Sequence, residues 1–198
     1  EVEYCVPEHI SGSNYTRETD SHGERYLSSL ILNDTFSQMT VNVGGKKGGP
    51  NTIWNDLTAT YNYVTNPGNT VEVQAIAGGE WMNTFVYIDF DNNGFTTADK
   101  VYTNYTGNHS TIATQFNLTI PETIPYGTYR ARYIVDWENT DPCFWGQTGN
   151  PRTQYGECVV DFLITLKSDD LDVARTITVA SVNDAYGTVA ITNPATEE

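Results

Sequence analysis

The residues best equipped for chemistry lie in one stretch, FVYIDFDNNGFTTADK, residues 85–100. Asp89, Asp91 and Asn93 stand at alternate positions, Gly94 follows where a ligand loop must turn sharply, and Asp99 closes the stretch. Oxygen donors at loop positions 1, 3 and 5, with the Phe95 backbone carbonyl at position 7, follow the first half of the calcium-loop pattern. Calcium accepts six to eight oxygens in loose geometry, and the loop offers it no soft donor. Position 12 is Lys100, where an EF-hand has a bidentate Glu, so Asp99 must supply the closing carboxylate. The alternative is a plain hairpin turn built on Asn93-Gly94, a dipeptide suited to positive φ. Three Asp crowded into one loop favour the cation, because a turn leaves their repulsion uncompensated.

What must position this loop is a strand. Residues 84–90 are β-branched and aromatic, without the 3.6-residue periodicity of an EF-hand helix. Further strands are expected at 26–32, 39–43, 70–76, 111–120, 128–135 and 159–166, divided by Asn, Gly and Pro clusters. Short strands with no sustained helical pattern predict an all-β fold, an antiparallel β-sandwich of jelly-roll type. Between 120 and 128, Pro121 and Pro125 remove donors and Gly127 is free to adopt positive φ. In TYRARYIV, residues 128–135, Tyr129, Ala131, Tyr133 and Val135 share one face and Arg130 and Arg132 the other, so one face is read as core and the other as wet.

The 198 residues carry 25 acidic and 10 basic side chains, a formal net charge of −15. This argues against nucleic acid and anionic membranes as partners, since both need cationic patches. No apolar stretch reaches the roughly 18 residues of a membrane-spanning helix. The chain begins at Glu1, and an export signal is expected to have preceded it. The cysteines are Cys5, Cys143 and Cys158. Cys143 and Cys158 bracket a Gly- and Pro-rich loop, and a bridge there would contribute about 3 kcal/mol. The odd count leaves one thiol over, and spacing alone does not choose which.

Catalytic patterns are few. His9, His22 and His109 are scattered, and neither a nucleophile elbow nor a phosphate-cradling loop is present. Asp136 and Glu138, if strand-borne, share a face about 7 Å apart in Cα position, a spacing compatible with an inverting glycosidase. A non-enzymatic module is the expectation. Thirteen Tyr and four Trp are many for this length. Trp137, Trp145 and Tyr155, with Asp136 and Glu138 nearby, form the candidate ligand surface, where flat rings would cover sugar C–H faces and polar groups meet hydroxyls.

Tyr4-Cys5, YIDFDNNGF, GTYRARY, Asp141-Pro142-Cys143 and GECVVDF occur in the order seen in the GEVED domain of Bacteroidetes secreted and surface proteins, which residues 4–166 resemble. The resemblance implies a β-sandwich module on an exported protein and no established activity. After a charged linker at 167–172, residues 173–198 resemble the opening of an InlB B-repeat-like module, or form an extra hairpin. The sequence reading is thus a secreted or cell-surface module, monomeric, with calcium as its cofactor and a glycan or surface glycoprotein as its partner. A structural spacer is the alternative, and a glycoside hydrolase using Asp136 and Glu138 the second.

Overall fold

The computed structural model describes residues 2–9, 25–43, 54–79, 82–107, 110–136, 141–145 and 158–168. The chain divides after Ser168, inside the expected linker. The β extension at 173–198 lies outside the described residues.

Among the described residues twelve strands follow one another: β1 (Glu8–His9), β2 (Tyr26–Asn33), β3 (Gln38–Asn42), β4 (Trp54–Asp56), β5 (Asn62–Thr65), β6 (Thr70–Gly79), β7 (Met82–Asp89), β8 (Lys100–Gly107), β9 (Ser110–Thr119), β10 (Gly127–Asp136), β11 (Phe144–Trp145) and β12 (Cys158–Leu166). Among the described residues the single helical element is a 3-10 turn at Thr97–Asp99. One sheet has the order β3-β2-β6-β9 and is antiparallel throughout. The other runs β4-β12-β10-β7-β8, with β5 also paired to β12. All seven expected strands are present within a residue or a few at their ends, and the sandwich is as predicted. The second sheet is mixed, because β4 and β5 run parallel to β12. The turn between β4 and β5 is bracketed by Leu57 N–H donating to Asp161 and Leu163 N–H donating to Tyr61. Both short strands thereby dock on one neighbour.

Period-2 alternation explains the core. In β6, Val71, Val73, Ala75 and Ala77 point inward and are buried, while Gln74 and Ile76 face out. They pack with Leu27, Leu30 and Leu32 of β2 against Tyr129, Ala131, Tyr133 and Val135 of β10 and Val160, Phe162 and Ile164 of β12. Removing such apolar area from water is the main stabilising term. Tyr133 is enclosed so fully that burial pushes its phenol pKa up to about 12.

The opposite face of the second sheet is not wet. β10 is buried on both faces from Ala131 to Asp136, and β7 nearly throughout. Phe85, Tyr87, Phe95, Ile134 and Val159 form a second apolar cluster there, covered by Tyr4, Cys5, Trp54 and Cys143. Trp54 comes from β4, Tyr4 and Cys5 from an N-terminal strap, residues 2–7, and Cys143 from the segment 141–145. The ends of strap and segment pair as β1 and β11, and a disulfide between Cys5 and Cys143 joins them. The expected Cys143–Cys158 bridge is thereby corrected. Cys158 belongs to the inter-sheet core and Cys143 to the outer cluster, so the sheet itself lies between their side chains.

Candidate metal centre

β7 ends by carrying Asp89 into the loop, and the loop folds around that carboxylate. Asn93 N–H donates to Asp89 Oδ1 at 3.2 Å and Gly94 N–H to Oδ2 at 3.0 Å. Positive φ falls at Asn92 (52°) and Gly94 (98°), not at Asn93. The turn is therefore not the two-residue Asn93-Gly94 hairpin but a longer loop wrapped on a buried acid. The 3-10 turn closes it with a capping box, in which Thr96 N–H donates to Asp99 Oδ2 at 2.6 Å and Ala98 N–H to Thr96 Oγ1 at 3.2 Å. Such reciprocal bonding fixes the course of the chain into the turn.

Asp89, Asp91 and Asp99 each bring a carboxylate oxygen to within 4.8 Å of the other two. Asp89 is inaccessible and Asp91 exposed, so the cluster is anchored inside and opens outward. Asn93 joins it through its side-chain amide, which donates to Asp91 Oδ2 at 2.6 Å. Burial alone would raise the pKa of Asp89. Hydrogen bonds from Asp91, Tyr4 and the Gly94 and Asn93 amides outweigh it and hold the group below the usual carboxylate value. Asp91 moves the other way, raised by its hydrogen bond with Asp89 and by the charges of Asp89 and Asp99. Two carboxylates this close repel each other when both are charged, and a hard cation between them would relieve that repulsion. The Phe95 carbonyl oxygen lies 3.7 Å from Cys143 Sγ, and its ring is buried.

The strap lies on this loop. The Tyr4 phenol donates to Asp89, and burial together with that carboxylate pushes its pKa well above the ordinary tyrosine value, so it stays a donor. The Tyr4 ring meets Phe95 edge-on, 5.2 Å between centroids. A Cβ added at Gly94 would come within 4 Å of Glu3 and Val2.

Beneath the strap is a buried charge network that the residue pattern did not disclose. Arg132, fully buried, grips Asp161 through Nε (2.7 Å) and Nη2 (2.8 Å). It also donates to the carbonyls of Pro142 (2.7 Å) and Cys5 (2.9 Å), one on each side of the disulfide. Arg130 donates to Asp161 through Nε (3.1 Å) and Nη2 (2.8 Å) and reaches Asp56 at 2.8 Å. Trp54 Nε1 adds a fifth bond to Asp161 at 3.0 Å. The guanidinium of Arg130 lies 4.7 Å from the Tyr4 ring centroid, and that of Arg132 lies 4.5 Å from the ring of Phe95. The sequence signal for this network was the Arg-x-Arg pair at 130 and 132, since cross-strand register sets Arg132 opposite both Asp161 and Tyr87.

Of the other expected ligand residues, only Asp136 is described with its side chain. Asp136 is 2 % exposed and lies 3.9 Å from Arg25, itself buried. It is a core ion-pair partner and not a group presented to solvent. Trp137, Glu138 and Tyr155 lie outside the described residues, and of Trp145 only the backbone, in β11, is described.

Comparison with known families matches the GEVED domain over residues 83–165. It runs from the second residue of β7 to the last but one of β12, and so contains the acidic loop, both arginines and Asp161. No curated protein matches the chain. Among the described residues no helix is long and apolar enough to cross a membrane.

Proposed function

We propose that the chain is a non-enzymatic, secreted or cell-surface module, monomeric, whose loop at 89–99 takes a calcium ion and whose surface binds carbohydrate or a surface glycoprotein. The observation that carries the cation is the convergence of the Asp89, Asp91 and Asp99 oxygens within 4.8 Å on a carboxylate fixed by two backbone amides. Asp89, Asp91, Asn93 and Asp99 supply the protein oxygens, and the open side leaves room for water or a ligand oxygen, as calcium's high coordination number requires. The disulfide is compatible with an oxidising, extracellular compartment, and the GEVED match supports the module reading.

Thermal melting with calcium chloride, with magnesium chloride and with chelator tests the site. At about a hundredfold excess over the dissociation constant, a ligand confined to the native state contributes roughly 2.7 kcal/mol. For a domain of this size that is roughly 5–11 °C. Asp91→Ala, on an exposed side chain, should abolish the rise without unfolding the chain, and magnesium should give a smaller one because it demands octahedral geometry. No rise with calcium sinks the reading. Glycan-array binding in calcium, repeated with chelator, tests the carbohydrate part.

A spacer that only positions neighbouring modules is the second reading. It is favoured by the burial of Tyr63, Tyr87, Tyr133, Phe85 and Phe162, while Tyr105, Tyr126 and Phe144 face out. A blank array from a folded sample would select it.

A further inference from the structure

On the covered face of the six-stranded sheet, beside the acidic loop but apart from its carboxylates, lies an open cleft of about 510 Å³, within the usual range for small-ligand sites. Separate segments meet around it: Tyr4 of the strap, Ala59 of the turn after β4, Asn92 of the loop after β7, and Thr128, Arg130 and Leu163 of β10 and β12. Arg130 and Leu163 are direct cross-strand partners, so a guanidinium and an apolar side chain lie next to each other on the floor.

The polar groups here have capacity left. Arg130 commits Nε and Nη2 to Asp161 and Asp56, and its Nη1 has no acceptor among the described residues. Thr128 Oγ1 bonds Thr165 Oγ1 at 2.9 Å, and whichever hydroxyl donates, Thr128 keeps a lone pair. Asn92 is exposed, held in the left-handed region, and its side-chain amide makes no bond to the described residues. Charge decides the ligand class. Arg130 and Arg132 are faced by Asp56, Asp161 and Asp89, so the floor has no surplus positive charge for an anion. Leu163 and Ala59 offer apolar contact, and the volume admits one or two pyranose rings.

We propose that this cleft binds a neutral, hydroxyl-rich ligand of mono- or disaccharide size, the terminus of a glycan. Ring C–H groups lie on Leu163 and Ala59, and hydroxyls meet Arg130 Nη1, Thr128 and Asn92. The inference rests on the carbohydrate reading above and gives it a site other than Trp137, Trp145 and Tyr155. Because Asn92 belongs to the acidic loop, a cation that fixes the loop also fixes one cleft wall, so chelation weakens binding without metal touching sugar.

The test uses the full chain, isotope-labelled and calcium-loaded, titrated with methyl glycosides of glucose, galactose, mannose, N-acetylglucosamine and xylose, with amide shifts followed by NMR. At least one glycoside should move the amides of Ala59, Asn92, Thr128 and Leu163 saturably. Ala59→Trp, which fills the cleft from an exposed turn, should weaken that binding about tenfold or more. Thr128→Val should weaken it less, and both variants should keep the parent's melting temperature. Saturable binding that Ala59→Trp leaves unchanged, or that shifts only residues outside the cleft, overturns the cleft and keeps the carbohydrate reading. No shift with any glycoside, together with a blank glycan array, overturns both.

Discussion

Asp161→Asn is nearly isosteric and places the buried network under direct test. The parent carboxylate accepts two bonds from Arg132, two from Arg130 and one from Trp54. Its side chain, like that of Arg132, is inaccessible to solvent. The carboxamide can still accept on one atom, but its NH2 points a donor at a guanidinium. Among the described residues the only ion pair left to the two cations is then Arg130 with Asp56 at the rim, Asp89 lying opposite Arg130 in register. Removing one partner of a buried pair costs about 3–5 kcal/mol, because the other charge stays desolvated. Had this face been wet, the same substitution would cost about 0–1 kcal/mol, the range of exposed pairs. The two accounts differ by more than experimental error. At roughly 2–4 °C per kcal/mol for a domain of this size, the melting temperature should fall by about 6–20 °C. Urea unfolding of parent and variant, with the disulfide intact, measures the difference directly. The companion variant Arg132→Met should also be destabilised, since it removes two of the five bonds to Asp161 and leaves the carbonyls of Cys5 and Pro142 without this donor. A loss below about 1 kcal/mol for Asp161→Asn would refute the claim that the network holds the strap down.

Reduction of the Cys5–Cys143 bridge, or Cys5→Ser, should cost about 2–5 kcal/mol in urea unfolding. Peptide mapping should recover those two cysteines linked, with Cys158 alkylated only after denaturation. Stability should decline in acid partly through Asp34. Its burial would raise its pKa, but the Thr65 hydroxyl, the Ser37 and Phe36 amides and Asn69 together lower it. A folded pKa below the unfolded value of about 3.9 gives stability that is present above that pH and lost as pH falls through the folded value. Unfolding free energy of the parent should therefore drop below about pH 4, and Asp34→Asn should flatten that drop while lowering stability near neutrality. An unchanged acid limb in the variant would contradict the assignment. For the acidic loop, Asp99→Ala should both weaken the calcium-induced rise in melting temperature and lower the melting temperature in chelator, because Asp99 also caps the 3-10 turn. Asp91→Ala should do only the first.

Much of the sandwich was legible because one-sided strands advertise themselves: β6 and β10 show alternation that core packing enforces. β4, β5 and β8 were missed for complementary reasons, and so were the two-residue β1 and β11. The first two are short and polar and exist only through pairing with β12. β8 is an edge strand, exposed at Val101, Thr103, Asn104 and Tyr105, where packing imposes little pattern. The acidic loop was legible from its own spacing, since local chemistry is written locally. The covering strap was not, because its partners lie more than a hundred residues away: Cys5 with Cys143, and Arg132 with the Cys5 carbonyl. Arg130 and Arg132 read as a solvent face by alternation alone. Arginine in a strand fits equally well under a cover that supplies carboxylate, carbonyl and aromatic partners, and alternation cannot tell the two apart. Among the described residues Gly68, Gly79, Asn92 and Gly94 adopt positive φ. Gly127, expected to be free for it, does not. Its small size instead admits the Tyr129 hydroxyl, 3.4 Å from where a Cβ would stand, on its way to the Pro125 carbonyl.

The Cys5–Cys143 bridge spans 138 residues of sequence, and this sets how the module responds to being pulled. Fully extended, that much chain would reach roughly 450–500 Å. With the bridge closed, tension applied at the chain's two ends runs through the sulfurs and bypasses everything between them. Strands β1 to β10 then contribute no contour length, and only the chain outside the bridge, β12 included, can pay out under load. Single-molecule stretching before and after treatment with a dithiol would read the hidden length as the difference between the two extensions.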